Sequence, residues 1–118
     1  MNQTRKKVSR IIDEILRFQF KAGITDTHMD LRKDDEGFHI LFTAHCPDGR
    51  AGQHAVDTLN RFLKVERNEA VENYFWELAG DDEGGSDSEL QLIGQMLDAA
   101  DAHMEDDQMV ISMFKRCI

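Results

Sequence analysis

The sequence is short of several residue types at once, and each shortage excludes something. There is a single proline, Pro47, so no proline-rich linker divides the 118 residues. There are two cysteines, Cys46 and Cys117, too few for a disulfide framework and in keeping with a reducing compartment. No apolar run approaches the ~20 residues that a membrane-spanning helix needs. The basic start, Met1 to Lys7, runs into an amphipathic stretch carrying Asp13 and Glu14 rather than a continuous apolar segment, so it does not read as a secretory signal. The expectation from these absences is a cytoplasmic protein with no membrane partner. Basic residues are also scarce in the second half: residues 66–118 hold 14 acidic and 3 basic side chains, against 9 and 11 in residues 1–65, for a net charge of −9. A surface this acidic repels phosphate backbones, which argues against nucleic acid as a partner.

What is present is an ordinary globular composition, 41% hydrophobic, at a length that suits one domain covering residues 1–118. The chain is organised around Thr27 to Cys46. Two alternating runs, His28-Met29-Asp30-Leu31-Arg32-Lys33 and Phe38-His39-Ile40-Leu41-Phe42-Thr43-Ala44-His45-Cys46, flank Asp34-Asp35-Glu36-Gly37. Alternation puts successive side chains on opposite faces, and an acidic turn ending in Gly suits a β-hairpin. Met29 and Leu31 share a face of the first run, and Phe38, Ile40, Phe42, Ala44 and Cys46 share a face of the second.

The rest reads mostly as helix. Val8, Ile11, Ile12 and Ile15 make one stripe of a helix from about Gln3 to Lys21, with Gly23 as its stop. Pro47 to Gly52 breaks the second strand. Helices follow over about Gln53–Val65 and Asn68–Ala79. Gly80-Asp81-Asp82-Glu83-Gly84-Gly85 is a loop. Ser86 and Glu89, at capping-box spacing, open a fourth helix ending near His103. A last strand runs from Gln108 to Lys115. No internal repeat is visible. The order α-β-β-α-α-α-β predicts an α/β (α+β) two-layer sandwich, a largely antiparallel sheet with helices on one face.

Two glycine-containing turns are the first place to look for a ligand. Asp48-Gly49-Arg50-Ala51-Gly52 ends the hairpin, and Gly84-Gly85 precedes a helix whose N-terminus favours anions. This order of elements and turns resembles the GHKL ATPase-like domain of histidine kinases and anti-sigma-factor kinases. The resemblance implies a nucleotide site using Asp48, Gly49, Gly52, Gly84 and Gly85, with ATP-Mg²⁺ as cofactor. In that family the first helix carries a metal-binding Asn; the corresponding region after Glu14 holds Phe18 and Gln19 here. The spacing of Asp48 and its glycines also differs. Asp81, Asp82, Glu83, Asp87 and Glu89 would repel a triphosphate.

Three other constellations were weighed on their residues. His39 and His45, with His28 and Asp30 if these lie close across the hairpin, could converge on a metal, but histidine on the exposed face of a one-sided sheet is the plainer reading, and no residue is assigned as a metal ligand. Cys46 falls on the apolar strand face, where an inert buried thiol is expected. Cys117, near the chain end, is expected to be exposed. No nucleophile motif is present, so no catalytic residue is assigned. Tyr74, Phe75 and Trp76 stand among Glu69, Glu72 and Glu77; consecutive helical residues lie ~100° apart, so the three cannot share one core, and an aromatic cluster with an acidic rim suits a docking patch. The reading is therefore a bacterial-type, non-enzymatic interaction or regulatory domain with an unidentified protein partner, monomeric or homodimeric, and without a cofactor. A small ATP- or ADP-binding domain is the alternative, and a weak metal-binding protein the third.

Overall fold

The computed structural model describes residues 3–64 and 87–117. The expected third helix, the loop after it, Tyr74, Phe75, Trp76, Gly84 and Gly85 lie outside the described residues.

Helix α1 (Thr4–Lys21) turns Val8, Ile11, Ile15 and Phe18 into the core. It stops where the sequence places its stop. Gly23 sits at φ +82°, its N–H bonds to the Phe20 carbonyl, and the N–H of the buried Ile24 reaches back to Gln19. That is a Schellman closure, which needs a residue free of the Cβ penalty at the left-handed position. Strands β1 (Thr27–Lys33) and β2 (Gly37–His45) then form the expected antiparallel hairpin. Its turn is held by Asp34, whose Oδ1 accepts the N–H groups of Glu36 at 2.9 Å and Gly37 at 3.2 Å.

Helix α2 (Gly49–Leu63) follows, with Ala55, Val56, Leu59 and Leu63 buried. Helix α3 (Asp87–Met96) resumes the description and buries Leu90, Ile93 and Met96. The sequence reading extended this helix to His103, and the structure corrects it. Leu97 closes onto Gly94, the Asp98 N–H joins the Phe114 carbonyl, and Ala99–Glu105 forms a strand, β3. Its partner is β4 (Gln108–Arg116), so the late strand is half of a second hairpin. Ala99, Ala100 and Ala102 favour a helix locally. The alternation of Ala100, Ala102 and Met104 with Asp101, His103 and Glu105 suits a strand, and tertiary pairing decides between the two.

The sheet order is β1-β2-β4-β3, antiparallel throughout. Phe38, Ile40, Phe42 and Ala44 of β2 stand opposite Lys115, Met113, Ile111 and Met109 of β4, and this central face carries the core beneath the helices. The fold thus contains α-β-β twice, α1-β1-β2 and α3-β3-β4, meeting at β2 and β4 about a local two-fold normal to the sheet. The sequence shows no repeat because the two units share an apolar pattern rather than residues.

The two sheet edges differ. At β3, Asn60 of α2 acts as a substitute strand: its Nδ2 donates to the Ala102 carbonyl at 2.9 Å and its Oδ1 accepts the Ala102 N–H at 3.1 Å. Lys64 adds an ion pair to Asp101 at 2.9 Å. Small side chains at Ala100 and Ala102 leave room for α2 to lie this close. At β1 the burial pattern is exposed almost throughout. No helix among the described residues is long and apolar enough to cross a membrane.

A candidate binding face on the open side of the sheet

All three described helices lie on one side, so among the described residues the other face of the sheet is uncovered. Its rows follow from the strand registers. One row is Arg32, His39, Phe114 and Ala99; the next is Asp30, Leu41, Ser112 and Asp101; the third is His28, Thr43, Val110 and His103. A shallow cleft of about 330 Å³ lies on this face, lined by Asp30, Arg32, His39, Leu41, Ser112 and Phe114 among others. Leu41 is 38% exposed, an apolar contact point in a polar surround.

Histidine–carboxylate pairs are spread over this face and its ends, of which His39 and Asp101 line the cleft. His39 Nε2 lies 2.8 Å from Asp34 Oδ2, and its ring leans on Phe114 with centroids 4.9 Å apart. His45 Nε2 lies 2.9 Å from Asp107 Oδ2. His103 stands between Asp101 and Glu105, 3.2 Å from each. The charges respond accordingly. Hydrogen bonds to Asp101 and then Glu105 raise the pKa of His103. Bonds from Lys64 and then His103 lower that of Asp101. The Glu36 N–H, followed by Gly37 and His39, lowers that of Asp34. Each imidazole lies within hydrogen-bonding distance of a carboxylate, which fixes its orientation, and at His103 the pair of carboxylates favours the cationic form.

The histidines weighed as a metal site do not converge. The register sets Arg32, not His28, opposite His39, while His28 stands opposite Thr43. Among the described residues no three His, Cys, Asp or Glu side chains are grouped to hold a metal ion. His103 belongs to this face and the sequence reading missed it by placing it at a helix end. The alternation of residues 100–105 is the signal that marks it.

The residues implied for a nucleotide have other work in the described structure. Asp48 is the N-cap of α2, its Oδ1 accepting the N–H groups of Arg50 at 3.1 Å and Ala51 at 3.2 Å. Gly49 opens the helix. Gly52 is buried where a Cβ would come within 2.9 Å of the Met104 side chain and 3.2 Å of Cys46, so its bareness lets α2 lie against β3. Phe18 and Gln19 are both buried, Phe18 in the core and Gln19 with neither amide atom hydrogen-bonded. Burial pushes the Cys46 thiol pKa up, as for an unreactive core cysteine. Cys117 is half-buried, packed on the edge of the core, rather than exposed. Comparison with protein-family models, with curated proteins and with solved structures gives no match for this chain.

Proposed function

We propose that this chain is a non-enzymatic interaction domain whose open sheet face receives a segment of a partner protein. The observation that carries this reading is the four-stranded face, uncovered among the described residues, with an apolar contact at Leu41 and Phe114 beside Asp30, Arg32, His39 and Asp101. The net charge of −9 favours a partner segment that is basic around an apolar anchor, because complementary fields speed encounter and fix register. The sheet is packed on its far side against the helix core, so the surface is built on a supported scaffold.

The test is retention of a partner from the native lysate on immobilised domain. Leu41→Glu places a charge in the middle of the cleft without touching the core. It should abolish retention of the wild-type partner, whereas Gln53→Glu, on the exposed side of α2, should leave it intact. Equal retention by the wild type and Leu41→Glu contradicts the reading.

A second reading, a nucleotide-binding domain of GHKL-like type, is favoured by one observation. The order α-β-β-α followed by α-β-β, with the helices on one side of the sheet and Asp48 at the strand-to-helix turn, follows the element order of that resemblance. On this reading Asp48 exchanges its cap bonds for a contact with the base.

A further inference from the structure

The two edges of the sheet are finished differently, and the difference concerns what the chain can assemble with. The β3 edge is occupied by the Asn60 amide and by α2. Among the described residues the β1 edge is open. The His45 N–H bonds to the Asp26 carbonyl and the Asp34 N–H to the Gly37 carbonyl, so even-numbered residues of the first strand turn their backbone groups toward β2. The N–H and C=O groups of Thr27, Met29, Leu31 and Lys33 therefore point outward, ready for another strand. The same residues carry their side chains on the helix side of the sheet, where Met29 is 46% and Leu31 43% exposed. An open edge with two apolar side chains beside it is a surface that natural sheets ordinarily blunt. Here Lys33 is the only charged residue among the outward-pointing four.

The geometry points to a second copy of this chain as the occupant, with β1 pairing antiparallel to its own counterpart across a two-fold axis to give one continuous eight-stranded sheet. The charges select this partner. On the face opposite Met29 and Leu31, the strand reads His28, Asp30, Arg32. An antiparallel copy centred on Asp30 would oppose two carboxylates, which is unfavourable. Moving the centre by one residue in either direction removes that clash. Centred on Met29, each Asp30 meets His28 of the copy and each Arg32 meets Asp26. Centred on Leu31, each Asp30 meets Arg32 and each His28 meets Asp34. Both arrangements keep the outward backbone groups in hydrogen-bonding positions and cover Met29 and Leu31. They also leave the cleft on the open face uncovered, now in two copies side by side. Because the β3 edge is occupied, pairing closes at two chains rather than running on into a fibre. This assembly does not rest on the partner proposed for the open face, although Asp30 and Arg32 belong both to the seam and to the rim of the cleft.

Sedimentation velocity from low micromolar to several hundred micromolar protein tests it. The wild type should move to a species of twice the 13.6 kDa chain mass as concentration rises. Leu31→Lys and Met29→Lys should sediment as single chains over the same range with unchanged circular dichroism, since neither side chain is in the core. Leu41→Lys, on the other face, should still dimerise. In a Cys117→Ser background, oxidation should join the Met29→Cys variant in the first arrangement or Leu31→Cys in the second. A wild type that stays at the single-chain mass, a dimer indifferent to both β1 lysines, or no cross-link from either cysteine overturns the proposal.

Discussion

At the scale of residues, the open face is controlled by imidazoles held between carboxylates. His103 is the clearest case, because hydrogen bonds that it donates to Asp101 and Glu105 raise its pKa above the usual 6.5. A group whose folded pKa is raised contributes stability that is complete below the unfolded value and is lost as pH rises through the folded one. His103→Gln should therefore cost most stability near pH 6 and almost none near pH 9. The difference should stay within ~1 kcal/mol, since the pair is solvent-screened. Urea unfolding of both proteins at several pH values measures it; a difference that grows toward alkaline pH contradicts the assignment. The sign reverses for Asp101, whose lowered pKa gives stability that is present above about 3.8 and lost as acid protonates it. His39 and His45 were readable as polar-face residues because they alternate with Ile40, Phe42 and Ala44. Their carboxylate partners were not all readable. Asp107 is 62 residues from His45 in the chain, and only strand register brings it close.

At the scale of elements, local pattern reveals what local forces decide. The first hairpin, the end of α1 at Gly23 and the apolar stripe of α2 all follow from periodicity and turn chemistry within a few residues. Strand β3 does not. Three alanines between residues 99 and 102 lean toward helix, and it is the ladder with β4 and the Asn60 amide on Ala102 that make the segment a strand. Gly52 illustrates the same limit. A glycine just after a strand suggests a nucleotide-binding turn, whereas its immediate neighbours are Met104 and Cys46. Helix α3 crosses α2 at another glycine, Gly94, where a Cβ would lie 2.5 Å from the Phe62 carbonyl oxygen and 2.9 Å from Leu63 Cα. Those are backbone atoms and cannot swing aside, so Gly94→Ala must push the helices apart. The expected loss is ~1–3 kcal/mol, at the level of other overpacked cores. A shift of the urea midpoint without a change in slope would report it, and an unchanged midpoint would show that the crossing gives way freely.

At the scale of the whole molecule, two α-β-β units share one sheet, with every described helix on one side and an open cleft on the other. One edge is filled by Asn60 and α2, and the other is open among the described residues. The helix side holds the core, and its candidate nucleotide residues that lie within the description are occupied by a cap bond at Asp48 and by close packing at Gly52. The central claim is that this domain works through its uncovered surfaces and not through a nucleotide held under its helices. Calorimetric titration with ATP-Mg²⁺ and ADP-Mg²⁺, followed on the same samples by amide ¹H–¹⁵N spectra, tests that claim most directly. The account predicts no binding heat and no movement of the Asp48, Arg50, Ala51 and Gly52 amides. Micromolar binding that shifts those amides and is weakened by Asp48→Asn would contradict it.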